Sequence, residues 1–124
     1  MNAKIFLVVR ILLGLFVLTF GLNKFLHFIP MGEMPETVMN YFGALSSTQT
    51  LNLVAVVEIL AGLALILNKY GALMSVILMS VSVNAVLFHA ALAPEGIGPA
   101  VGLLILNIAA LIGYKDRYKD ILRA

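Results

Sequence analysis

Cysteine is absent from all 124 residues, which removes disulfide exchange, thiolate metal sites, iron–sulfur clusters and covalent haem attachment from what this chain does by itself. Charge is nearly as scarce. Only 11% of residues are charged, and six of them are acidic. The formal net charge of +2 is not gathered into the basic patch that tracks a nucleic-acid backbone, so no nucleic-acid partner is expected. No acidic or aromatic constellation points to hydrolysis or phosphoryl transfer. Internal repeats and low-complexity segments are also missing.

Hydrocarbon fills the chain instead. Hydrophobic residues make up 62% of it, and the mean hydropathy is +1.07. A soluble globule of this size has too much surface to hide so much apolar area, whereas a bilayer dissolves it. Four runs, 3–28, 51–67, 72–92 and 97–114, are long enough at about 1.5 Å per residue to cross about 30 Å of hydrocarbon. The first run is too long for the apolar region of a secretory signal, and no small-x-small cleavage site follows it, so it reads as a retained span. The expectation is one all-α domain over residues 1–124, a four-helix transmembrane bundle with the lipid bilayer as its partner.

The few charges sort by connection. Lys4, Lys69, Lys115, Arg117, Lys119 and Arg123 fall on the side shared by both termini, while Lys24, Glu33, Glu36 and Glu95 fall on the other. With four spans, the positive-inside bias places both termini in the cytoplasm. After the break at Pro30, Gly32 and Pro35, the stretch "ETVMNYFGALSSTQT" carries Val38, Met39, Tyr41, Phe42 and Leu45 at near-helical spacing. It is either an amphipathic helix at the membrane interface or a partly ordered loop. The short connections "NKYG", with Gly71 as helix cap, and "APEGIGP" make successive spans antiparallel neighbours. The tail "GYKDRYKDILRA" reads as a solvated helical end, anchored at the interface by Tyr114 and Tyr118. In the fourth span, Gly98, Gly102, Ala109 and Gly113 share a face, the first two in G-x-x-x-G spacing. Close packing within the bundle is the favoured use of that stripe, and a homo-oligomer contact is the other.

An ionisable group at the centre of a span costs about 2.5–3.5 kcal/mol on insertion scales, so it should face the bundle and find a partner. Glu58 is the sole acidic residue inside a span and Arg10 the sole deep basic one. Counted from Lys4 and Asn68 as level ends, Arg10 lies about 9 Å deep and Glu58 about 15 Å, a gap an arginine bridges. Arg10 is therefore expected to pair with Glu58, either as a clasp between the first two spans or as a functional pair that holds a ligand or relays protons. The competing role for Arg10 is to snorkel to the headgroups.

A second polar layer lies towards the opposite face, with Asn23, Lys24 and His27 on the first span and His89 on the third. Ser75, Ser82 and His89 recur every seven residues, and Asn84 and Asn107 read as interhelical glue worth about 0.6–2 kcal/mol. Two imidazoles suffice for axial haem ligation or a metal with carboxylate help, but no spacing motif supports either, and no metal ligand is assigned. A cavity lined by Lys24, His27, Asn84 and His89 suits quinone carbonyls or small anions. The candidate ligand-binding residues are Arg10, Lys24, Glu58, Asn84 and His89. No catalytic residue is assigned.

The same residues carry a family resemblance. "RILLGLFVLTFGLNKF" resembles the first helix of DoxX-family membrane proteins, ending in their G-x-x-K at Gly21 to Lys24. "VEILAGLALIL" is similar to their second helix, with Glu58 and then Gly62. "FIPMGEMPE" resembles their first outer loop, and "VNAVLFHAALAPEG" and "LNIAALIGYKDRYKDIL" look like their third and fourth helices. The resemblance implies a four-helix bundle in the bacterial inner membrane, of a type linked to thiosulfate oxidation with quinone reduction, some members being partners of redox proteins. Without cysteine or a cofactor fingerprint, redox work here requires a bound quinone or a partner subunit. Two functions follow as expectations: a quinone- or small-ligand-binding subunit of a membrane redox complex, or a non-catalytic membrane scaffold or assembly factor. A small solute or proton carrier, argued from Glu58, is a third.

Overall fold

A computed structural model describes residues 1–30 and 32–124; Met31, within the loop likeness noted above, lies outside them. The described residues form five α-helices: α1 (Ala3–Leu26), α2 (Glu36–Ser47), α3 (Thr50–Leu67), α4 (Gly71–Leu92) and α5 (Ile97–Gly113). A 3₁₀ turn, Pro94–Gly96, leads into α5 and another, Lys115–Tyr118, follows it. α1, α3, α4 and α5 with its leading turn have the length and hydropathy of membrane spans. This is a multi-pass, all-α bundle.

Local chemistry sets the helix ends. Asn2 caps α1 by accepting the Lys4 amide at 2.7 Å. At the other end His27 adopts a left-handed conformation (φ 52°) and donates its amide to the Asn23 carbonyl, while the Asn23 side chain accepts the Ile29 amide. α1 therefore stops two residues short of its apolar run. In the α3–α4 turn Asn68, not Gly71, is the left-handed cap (φ 54°). Asparagine tolerates that region. Gly71 instead opens α4, where a Cβ would collide with the Tyr114 ring.

The spans pack in a ring: α1 against α3, α3 against α4, α4 against α5, and α5 back against α1. α1 and α4 are thus diagonal. Leu13, Val17, Ala61, Leu65, Leu78, Leu103 and Ala110 form the interior, while Leu7, Leu15, Leu53, Leu60, Ile105 and Ile112 point outwards. That outward apolar surface is what lipid tails cover. α2 is a helix, as one reading of its spacing required. Val38 is buried, and Tyr41 stacks on Phe88 of α4 with ring centroids 4.9 Å apart.

Small residues bring α1 and α3 together. A Cβ on Gly62 would meet Leu18 Cβ at 2.7 Å and the Gly14 carbonyl at 2.8 Å. On Gly21 it would meet Glu58 Cβ at 2.9 Å. Close backbone approach of this kind is how spans associate where lipid is as apolar as leucine. The stripe expected on the fourth span does not do this work: nothing lies within 4 Å of a Cβ built on Gly98 or Gly102. Those two glycines face away from the bundle's seams, and only Gly113 of that stripe is tightly met, by the Phe6 ring.

α4 and α5 are joined by polar contacts. Ser82 donates to the Asn107 side-chain oxygen at 2.7 Å, and Asn107 donates to the Ser75 carbonyl at 3.0 Å. Asn107 is the glue its sequence position suggested. Asn84 is not, because it is exposed on the outer face of α4 and donates back to Ser80 of its own helix.

The tail also departs from expectation. Tyr118 is buried and donates to the Ala72 carbonyl at 2.7 Å, and Tyr114 donates to the Asn68 side chain at 2.7 Å while meeting Phe6 edge to face. The chain's two ends therefore share one end of the bundle. Burial pushes both phenols above their ordinary value, with Arg10 and Arg117 opposing this at Tyr114, and Tyr114 adding to it and Arg117 opposing it at Tyr118. Both remain hydrogen-bond donors at neutral pH.

Candidate functional site

Within the spans, among the described residues, one ion pair forms. Lys24 Nζ lies 2.5 Å from Glu58 Oε1, with the carboxylate side chain 5% exposed and the lysine 23% exposed. The two other ion pairs are exposed contacts of the tail, Asp116 with Lys119 and Asp120 with Arg123. The expected Arg10–Glu58 pair does not form. Arg10 instead donates to the carbonyls of Leu65 at 2.7 Å and Ile66 at 3.3 Å.

Register explains both partners. Gly21 is level with Glu58, and Gly14 is level with Leu65 and Ile66. By that pairing Asn68 is level with about residue 11 of α1, not with Lys4, so α1 overhangs α3 by roughly 10 Å. Arg10 and Glu58 end up about 16 Å apart along the bundle. Lys24, one turn beyond Gly21, is the cation within reach. The last carbonyls of a helix lack intrahelical partners and sit at its negative end. Arg10 meets two of them on α3. Sequence alone did not reveal that partner, because it depends on the register of α1 against α3.

The lysine has three donors. Glu58 takes one and the Phe20 carbonyl takes another at 3.5 Å, and among the described residues the third has no protein acceptor. The close approach at Gly21 puts Glu58 against α1.

The remaining candidates do not join this pair. His89 Nδ1 is 3.1 Å from the Ala93 carbonyl, and its ring lies edge-on to Phe88 and against Gly96. His27 is the exposed cap of α1. Among the described residues no hydrogen bond links His89, His27 or Asn84 to Lys24 or Glu58. At the same end of the bundle, Tyr41 and Phe42 of α2 close on Phe88 at 4.9 and 5.2 Å. This aromatic cover went unread in the sequence because Phe88 belongs to no motif and meets α2 only in the folded bundle.

A family model described as DoxX matches residues 5–91. The match takes in α1 to α4, and the likeness read on α5 and the tail lies beyond it. No curated protein and no solved structure matches the chain.

Proposed function

The chain belongs to the DoxX family, and from that premise we propose that it is a membrane subunit of a redox complex, holding a quinone or a similar carbonyl-bearing small ligand beside Lys24 and Glu58. The observation that carries this reading is the ion pair itself: a carboxylate buried within the spans, neutralised by a lysine that keeps a spare donor and partial exposure. Burying an ion pair in a helical bundle is expensive, and such groups mark ligand or proton paths. A bound quinone supplies two-electron, two-proton redox chemistry, and the electrons come from a partner redox protein. Lys24 donates to the ligand carbonyl, and Glu58 holds the ammonium in place and exchanges protons with it. Around them, the α1–α3 contact at Gly21 excludes water from one side.

The bilayer we assign is the bacterial inner membrane with both termini cytoplasmic. Lys4, Lys69, Lys115, Arg117, Lys119 and Arg123 gather at the end that holds the termini, and Lys24, Glu33, Glu36 and Glu95 at the other, which is net acidic.

A second reading has its own support. Among the described residues no buried side-chain polar atom lacks a partner, which suits a scaffold or assembly factor whose polar groups serve the bundle alone. Mass spectrometry of organic extracts from purified protein separates the two. The ligand reading expects a stoichiometric quinone in the wild type and in Asn84→Ala, whose side chain faces outwards, and its loss in folded Glu58→Gln. Wild-type protein that stays empty after quinone is added back would overturn it in favour of the scaffold.

A further inference from the structure

The tail and the start of α4 enclose a recess at the opposite end of the bundle from Lys24 and Glu58. It measures about 640 Å³, and its lining includes Lys69, Arg117, Leu73, Val76, Tyr118 and Ile121. A second recess of about 270 Å³ adjoins it, sharing Val76, Tyr118 and Ile121 and extending over Leu111 and Leu122. The first is mixed in polarity and the second is apolar.

Its shape follows from how the tail docks. Tyr118 bonds to the Ala72 carbonyl and fixes the 3₁₀ turn against α4, and the largely exposed Ile121 lines the recess together with Leu73 and Val76 of α4. The two acidic residues of the tail are taken by Lys119 and Arg123. Among the described residues neither Lys69 nor Arg117 forms an ion pair, and the Arg117 guanidinium lies over the Tyr114 ring, 5.9 Å from its centre. The recess lining therefore carries two positive charges without an acidic partner. Val76 is five residues into α4, about 7.5 Å along the span. The floor of the recess thus runs from the end of the bundle to hydrocarbon depth.

We infer that this groove binds one anionic phospholipid, its phosphate held between Lys69 and Arg117 and an acyl chain laid along Val76, Leu111 and Ile121. The charge of the lining is complementary to a phosphodiester. Arg117 offers a planar fork to its oxygens and Lys69 a point charge. The apolar continuation has no use for a free phosphate and fits the chain of a lipid. Basic pockets at span ends are where anionic headgroups settle.

Native mass spectrometry of the full chain, titrated with phosphatidylglycerol and with phosphatidylcholine, tests this. The wild type should retain one phosphatidylglycerol in preference to phosphatidylcholine. The double variant Lys69→Gln/Arg117→Gln should weaken that binding by about 30-fold, two basic contacts' worth. Lys69→Arg with Arg117 kept should retain it, and circular dichroism of the double variant should match that of the wild type, which separates a lost site from a lost fold. Lys4→Gln/Lys115→Gln removes the same charge from the same end of the bundle, at residues that neither line the recess nor pair with an acid, and should leave binding intact. Equal loss in that control, or equal retention of the two lipids, would overturn the assignment. So would competition by glycerol phosphate at the lipid's own concentration, which would make the ligand a soluble phosphate.

Discussion

Lys24 and Glu58 stand one helical turn apart in level, and Gly21, one turn before Lys24 on α1, lets α3 come close enough at Glu58 for them to meet. Its energetics are those of a buried charge pair: the net worth of the pair is small, but removing one partner strands the other. Lys24→Met should therefore destabilise the bundle by about 3 kcal/mol, and adding Glu58→Gln to it should recover most of that loss. Denaturant unfolding in detergent reads both, and a double variant no more stable than Lys24→Met would show that the pair does not act as a unit. Arg10 illustrates the same rule differently. It is a charge within a span whose partners are backbone carbonyls, which hydropathy and charge counting do not register.

At the scale of the helix pair, glycine position matters more than glycine spacing. Gly98 and Gly102 have the familiar four-residue interval, yet a Cβ on either would meet nothing within 4 Å, whereas Gly14, Gly21 and Gly62, on two different helices, bring α1 and α3 into contact. Gly62→Ala should cost about 1–3 kcal/mol by overpacking, since both the Leu18 Cβ and the Gly14 carbonyl must give way. Gly98→Ala and Gly102→Ala should leave the melting temperature within error. A thermal series in one detergent compares all three, and a neutral Gly62→Ala would mean that α1 and α3 are free to separate. The α4–α5 seam is held by other means: Asn107, buried, spans two serine positions one heptad apart on α4. Close backbone contact holds one side of the ring and hydrogen bonds hold another.

The whole molecule has two dissimilar ends. One carries the termini, most of the lysines and the tyrosine-pinned tail, and the other carries Lys24, Glu58, α2 and its aromatic cover. Absence of cysteine makes their sidedness easy to read. With Glu95→Cys as the reporter, a membrane-impermeant maleimide should label intact cells. With Lys119→Cys it should label only after permeabilisation. The reverse pattern would invert the molecule and place the basic groove on the outer face. Much of this architecture was determined by the sequence alone. The four spans, their antiparallel order and the shared end of the termini follow from hydropathy, run length and short connections, because lipid demands closed backbone hydrogen bonding over a known thickness. Asn107 as glue and Lys24 and Glu58 as polar candidates were legible for the same reason. Only tertiary structure decided which charges meet. Apolar runs carry no mark of their register, so the sliding of α3 along α1 was open until Gly14, Gly21 and Gly62 found their neighbours. That one offset, roughly 10 Å, gave Glu58 to Lys24 and gave Arg10 to the end of α3.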